Sequence, residues 1–294
     1  MTVLLVSCQI GASLMAGAVL GAVVAVLGMG FIGIEDLLPY LLFVNVPVFV
    51  PFLIWGWWRS GLSVSEAFGL VPVSISLLVS VAVCHCGLAI LTSELDNLCR
   101  TFFPLPNYSE YLWEYVSRAP IVLVVALVVM APVTEESLFR GLFLGGFLRR
   151  YGRVTAVLGS AFLFAIMHLN PAQLLPTFII GLVIGIWFVY TRSLWACLLA
   201  HAVHNASLPL SFFVLSVEIP GWNTPPEAGM FQPLWFDALG IGLFGIGMTW
   251  FFFLIAQARG PAPCARPIEA GLGTGEADWF AGDESDSEPR AHKE

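Results

Sequence analysis

The strongest constraint on this chain is a succession of apolar runs, most near twenty residues long, separated by short breaks. A helix rises ~1.5 Å per residue and the hydrocarbon of a bilayer is ~30 Å thick, so about 20 apolar residues cross it. On that rule the segments 4–32, 37–58, 71–93, 119–148, 154–170, 173–191, 194–215 and 235–256 are about eight candidate spans. Composition supports the same reading. Charged residues make up 11% of the 294 and hydrophobic residues 58%, whereas a soluble domain carries about 25% charge. So few charges cannot coat a globular surface. The expected fold is all-α, a polytopic transmembrane helical bundle whose first partner is the lipid bilayer.

Arginine and lysine set the orientation. With about eight spans both termini share one side. Arg59, Arg149, Arg150, Arg153, Arg192, Arg259, Arg266, Arg290 and Lys293 fall there; Arg100 and Arg118 fall opposite. The expectation is that both termini are cytoplasmic, with 94–118 and 216–234 as outside loops. The 119–148 span contains Pro132, which can kink it. Gly181 and Gly185 form a GxxxG that lets a neighbouring helix approach closely. The six cysteines show no framework spacing, and the last residues are Pro-, Gly- and acid-rich, a composition that cannot bury a core.

Ionisable side chains inside spans are rare, and most serve a function. Here they are His85, Glu135, Glu136, Arg140, His168, His201, His204 and Asp237. Counted from the flanking arginines, Glu135 lies about 21 Å deep, His168 about 22 Å, His201 about 14 Å and Asn205 about 20 Å. Residues from three spans thus reach a similar depth. Glu136 and Arg140 stand at i, i+4 and can pair on one helix face. Glu135 is turned about 100° away, which leaves it as the carboxylate without a counter-ion. His201 and Asn205 also stand at i, i+4 and can point at one spot.

Such a set can hydrolyse a carbonyl without a side-chain nucleophile. Glu135 and His168 would activate water, Glu136 and Arg140 would form a supporting ion pair, and His201 with Asn205 would stabilise an oxyanion. The simplest substrate is a peptide bond. The chain then divides into N-terminal transmembrane helices with an outside loop (1–118), a catalytic transmembrane core (119–256) and an acidic disordered cytoplasmic tail (257–294).

These residues carry a family resemblance. EESLFR (135–140) matches an EExxxR motif, FAIMH (164–168) an FxxxH motif and HAVHN (201–205) an HxxxN motif. In that order they resemble the CPBP family of intramembrane proteases, which holds type II CAAX prenyl endopeptidases and bacteriocin-processing (Abi) proteins. The resemblance covers about residues 119–210. It implies an eight-helix membrane endopeptidase with a cavity open to the cytoplasm. It also implies Glu135 and His168 as the water-activating pair and His201 with Asn205 as the oxyanion site. The substrate it implies is a membrane-associated or lipidated, CAAX-like peptide or protein.

Alternatives stay open on the sequence. No HExxH is present, and no cofactor is firmly expected. A zinc held by Glu135, His168 and His201 is nonetheless chemically sound. A transporter could use the same buried acid and histidines as a proton relay, and a non-catalytic immunity or scaffold protein could bind a membrane peptide. CHC (84–86) is not read as a metal site, because Cys84 and Cys86 lie about 200° apart on a helix. His204 is read as a packing or supporting polar contact. No nucleic-acid partner is expected. The expected location is a cell membrane, with a bacterial plasma membrane favoured over the endoplasmic reticulum because the loops are short and no retention tetrapeptide is present.

Overall fold

The computed structural model describes residues 45–103, 105, 120–214, 218–224 and 229–258, and every regular element in them is helical. The candidate span 4–32, most of the stretch between 104 and 119, and the tail from 259 lie outside the described residues. In chain order the helices are α1 (Asn45–Ser60), α2 (Val64–Phe68), α3 (Ile75–Phe102), α4 (Pro120–Val125), α5 (Ala131–Glu136), α6 (Gly145–Phe147), α7 (Arg153–Met167), α8 (Leu174–Thr191), α9 (Leu194–Val214) and α10 (Leu234–Ala258). Two π-helical stretches, Ala126–Met130 and Ser137–Leu144, join α4, α5 and α6 into one interrupted rod.

Three of the described elements, Ile75–Phe102, Pro171–Thr191 and Leu234–Ala258, are long and apolar enough to cross a membrane. Their outward faces are greasy. Leu234, Ile241 and Phe253 on α10 and Ile75 on α3 are all more than half exposed. A continuous apolar surface of this kind is costly in water and neutral in lipid.

The core centres on Trp187, fully buried among Val81, Cys84, Leu88, Ile184 and Phe251 from α3, α8 and α10. The α3–α10 contact is the tightest. A Cβ on Gly247 would stand 2.6 Å from Cys84 Cα, and one on Gly87 would collide with the backbone at Gly240 and Phe244. The missing side chains let the two backbones touch, as small residues do where helices pack in membranes. The expected close approach at GxxxG also occurs. A Cβ on Gly181 would lie 3.1 Å from Ala161 Cα, and one on Gly185 3.0 Å from Val157 Cγ1, so α8 beds against α7 there.

The structure departs from the sequence reading in three places. Residues 94–102, expected as loop, continue α3. Polar contacts sustain that extension: Asp96 pairs with Arg100 at 2.7 Å, and Thr101 Oγ1 donates to Asn97 O at 2.8 Å. The span expected to reach residue 170 ends as a helix at Met167, with His168 as its cap. Leu169 then takes the left-handed conformation at φ 51, which costs a non-glycine residue about 1 kcal/mol or more. The 119–148 span is not a single α-helix with one kink, since π turns flank α5 on both sides.

Candidate functional site

Pro132 sets up the first half of the site. It has no N–H and its ring disturbs the preceding turn. The chain responds by widening: Ala131 N–H reaches back to Ala126 O, a π-type bond. That choice strands the carbonyl of Leu127. Ala131 has already bonded elsewhere, and the residue five positions on is Pro132 itself. Asn205 of α9 supplies the missing donor, Nδ2 to Leu127 O at 2.9 Å. One amide N–H of Asn205 is therefore engaged and the other points elsewhere.

The second π stretch is stabilised in the same manner. Ser160 Oγ, from α7, donates to Phe139 O at 2.9 Å. A side chain from a neighbouring helix thus meets a carbonyl in the disturbed ladder. This stretch carries Arg140, and its Phe139 and Leu138 fill the second apolar cluster with Phe49, Phe143, Phe164 and Met167.

Glu136 and Arg140 pair as their spacing implies. Both side chains are wholly buried, with Arg140 Nη1 donating to Glu136 Oε1 at 3.0 Å. Arg140 Nη2 donates to Gly181 O at 3.0 Å, a carbonyl brought close by the α7–α8 contact. The same Glu136 oxygen receives His201 Nδ1 from α9 at 2.7 Å. An acid, a guanidinium and an imidazole from two segments of the chain thus form one hydrogen-bonded unit.

His168 stands at the exposed end of α7. Its Nδ1 donates to Phe164 O at 2.9 Å. The proton therefore sits on Nδ1, and Nε2 presents a lone pair away from the helix. Glu135 is half-buried, and among the described residues it has no hydrogen bond or ion pair. Its neighbour Glu136 takes all the basic partners.

The sequence reading quoted Phe164 as part of the FxxxH motif but gave its ring no role. The Phe164 ring is almost completely buried and lies under the Arg140 guanidinium at 4.5 Å. It also meets the His168 ring at 4.9 Å and the His201 ring at 5.8 Å, both edge-on. It is the common wall on which the two histidines and the arginine are arranged. Its place at i−4 from His168 was the available signal.

The structure thus joins Glu136, Arg140 and His201 directly, joins His168 to them through Phe164, and ties Asn205 to the α4–α5 junction. Among the described residues no three His, Cys, Asp or Glu side chains converge as metal ligands. Both His168 and His201 commit Nδ1 to protein oxygens. That leaves Nε2 of each ring for a ligand or a substrate, and no step below runs through a metal.

An apolar cleft of about 480 Å³ runs beside this unit, lined by Pro72, Val73, Val129, Val133, Trp195 and Leu198 among others. Val133 lies one turn before Glu136, and Leu198 one turn before His201. Outside the spans, the exposed capping box of α2 holds Glu66 below the usual carboxylate range, because Ser63 Oγ and the Ser63 N–H both bond its carboxylate.

Residues 117–207 match the family model described as type II CAAX prenyl endopeptidase, Rce1-like. That stretch spans Glu135, Glu136, Arg140, Phe164, His168, His201 and Asn205. No curated protein and no solved structure gives a significant match.

Proposed function

Since the chain carries an Rce1-like, type II CAAX prenyl endopeptidase domain at residues 117–207, we propose that it is an intramembrane endopeptidase that cleaves a membrane-associated or lipidated peptide with water activated by Glu135 and His168. The observation that carries this reading is the coincidence of the family match with the buried unit. Arg140, His168 and His201, which meet at Phe164, all lie inside the matched segment.

Among the described residues Glu135 has no basic partner, so it is available to take the proton of an attacking water. His168 presents Nε2 as an acceptor and steers the same water. Glu136 does not act on the substrate in this scheme. It holds His201 through Nδ1, which aims Nε2 away from Glu136. A ring carrying both protons donates through Nε2 to the oxyanion that forms as water adds. The second N–H of Asn205 is the companion donor. When the tetrahedral intermediate collapses, the proton taken by Glu135 passes to the leaving amine, and no covalent enzyme intermediate forms.

The cleft supports an apolar partner for the substrate. Its walls come from the π stretch before α5, from α5 and α9, and from the start of α3 with the turn before it, and an apolar groove with few polar groups suits a hydrocarbon chain. The proposed topology has about eight spans with both termini on the cytoplasmic side, so the cleft mouth near Pro72 and Trp195 faces the cytoplasm. The test is cleavage of a prenylated CAAX peptide by purified protein in nanodiscs, read by mass spectrometry. Loss of about 100-fold or more in kcat for Glu135→Ala and for His168→Ala is expected, the scale of a lost general base. Cleavage by both variants at the wild-type rate would overturn the mechanism.

A further inference from the structure

Next to the Glu136 unit, on its α3 side, a second pair of imidazoles meets: His85, wholly buried, and His204, half-buried. His85 of α3 is fully buried, and its Nε2 accepts from Trp187 Nε1 of α8 at 2.8 Å. An imidazole that accepts through Nε2 carries its proton on Nδ1. That Nδ1 is buried with no hydrogen-bond partner among the described residues, and so is Nδ1 of His204 on α9. The two rings face each other edge-on with centroids 6.1 Å apart. Direct N–H···N bonding needs about 2.9 Å between nitrogens, and rings so separated stand too far apart for it. A water hydrogen-bonded to both nitrogens can span rings whose centroids are 6.1 Å apart, and a site with two or more polar partners is where buried water is held. Donor and acceptor also match: the His85 Nδ1–H donates a hydrogen bond to the water, and the water donates one to His204 Nδ1 when that ring carries its proton on Nε2.

His204 lies one turn from His201 on the same face of α9. We propose that one ordered water bridges His85 and His204, and that the resulting Trp187–His85–water–His204 brace positions the His201 face of α9 against Glu136. His85 belongs to α3, outside the matched segment 117–207. The brace gives the N-terminal part of the chain a role in the site that the motifs do not reveal. Cys84 is buried and Cys86 exposed, so the flanking cysteines face opposite ways and His85 alone of the CHC triplet enters the cluster. His85 and His204 are positioning residues here. The catalytic consequence rests on the proposed endopeptidase reading; the brace itself does not.

The experiment has one arm for each. Full-length protein in nanodiscs, labelled with ¹⁵N-histidine, reports the ring tautomers by NMR. The expected result is His85 protonated at Nδ1 and His204 at Nε2. The His85 resonances should shift in His204→Phe and in Trp187→Phe, and return towards wild type in His204→Asn, whose amide oxygen occupies the place of Nδ1. His85 in the opposite tautomer, or unmoved by His204→Phe, overturns the brace whether or not any peptide is cleaved. In the activity arm, a prenylated CAAX peptide is the probe. His204→Phe should lower kcat about tenfold with KM unchanged, the scale of a small misplacement of a catalytic group, and His204→Asn should recover most of it. The expected tautomers and shifts together with a wild-type kcat in His204→Phe overturn the positioning role alone.

Discussion

Neutralising Glu136 tests whether the buried ion pair organises the site. In the native protein Glu136 Oε1 takes both Arg140 Nη1 at 3.0 Å and His201 Nδ1 at 2.7 Å, and neither Glu136 nor Arg140 has any solvent exposure. Glu136→Gln keeps the volume and one acceptor oxygen but leaves the Arg140 charge, among the described residues, with neutral partners alone: that amide oxygen, the Gly181 carbonyl and the Phe164 ring. Removing one partner of a buried pair typically costs about 3–5 kcal/mol, because the other charge is left uncompensated. Arg140→Met should cost less, since Glu136 keeps His201 as a partner that can carry positive charge. Glu136→Gln/Arg140→Met together remove both charges, and the double variant should be more stable than Glu136→Gln alone. A coupling energy of about 2 kcal/mol or more is expected from the cycle, within the range for residues in one network. The assay is reversible unfolding in mixed micelles, read by tryptophan fluorescence. A loss below about 1 kcal/mol for Glu136→Gln, or additive single-site effects, would refute the argument that this pair is uncompensated when broken.

Other outcomes follow from the same geometry. Gly247→Ala should destabilise by about 1–3 kcal/mol, because the new methyl meets Cys84 backbone that cannot yield; an unchanged unfolding midpoint would deny the close α3–α10 contact. Phe164→Leu should lower kcat while leaving the helical circular dichroism signal intact, since the ring that orders His168, His201 and Arg140 is lost; a wild-type kcat would remove that role. Asn205→Ala should cost about 1–3 kcal/mol by stranding the Leu127 carbonyl, and clearly less in a Pro132→Ala background, where a restored N–H can serve it; equal costs in both backgrounds would contradict the account of the π turn. At α2, acidification should fray the capping box. The Glu66 pKa is lowered in the folded state, so its contribution is present above the ordinary carboxylate pKa and fades as pH falls through the lowered value. The protection factor of the Glu66 amide against pH measures it, and a pH-independent protection factor would count against it.

What the sequence disclosed, it disclosed through spacing. Glu136 and Arg140 at i, i+4 pair in the fold as they do on a helical wheel, and the Gly181–Gly185 spacing marks the face that meets α7. Both relations are local, and helix periodicity alone determines them. The extension of α3 to Phe102 was less legible, because its last turns are amphipathic rather than apolar and hydropathy stops counting there. The contact of His201 with Glu136 was not legible at all. It joins residues 65 positions apart, and an imidazole able to face a substrate can equally face an acid.

The π turns show why the remainder could not be read. Pro132 announces a disturbance but not its form, since a proline can kink a helix, end it or widen the turn before it. The form is settled by partners elsewhere in the chain. Asn205 takes the Leu127 carbonyl that the widened turn releases, and Ser160 takes that of Phe139 in the second π stretch. This gives Asn205 two demands, one structural and one in the proposed oxyanion site, and a side-chain amide with two N–H groups can meet both. A serine in its place has a single O–H, so it must choose between Leu127 and the substrate. Asn205→Ser should therefore separate the two demands: stability retained with activity lost if the hydroxyl bonds Leu127. Stability and activity both at wild-type level would mean that Asn205 serves only the helix. That distinction is invisible in HxxxN as a motif, because a motif records which residue is present and not how many of its hydrogen bonds are already committed.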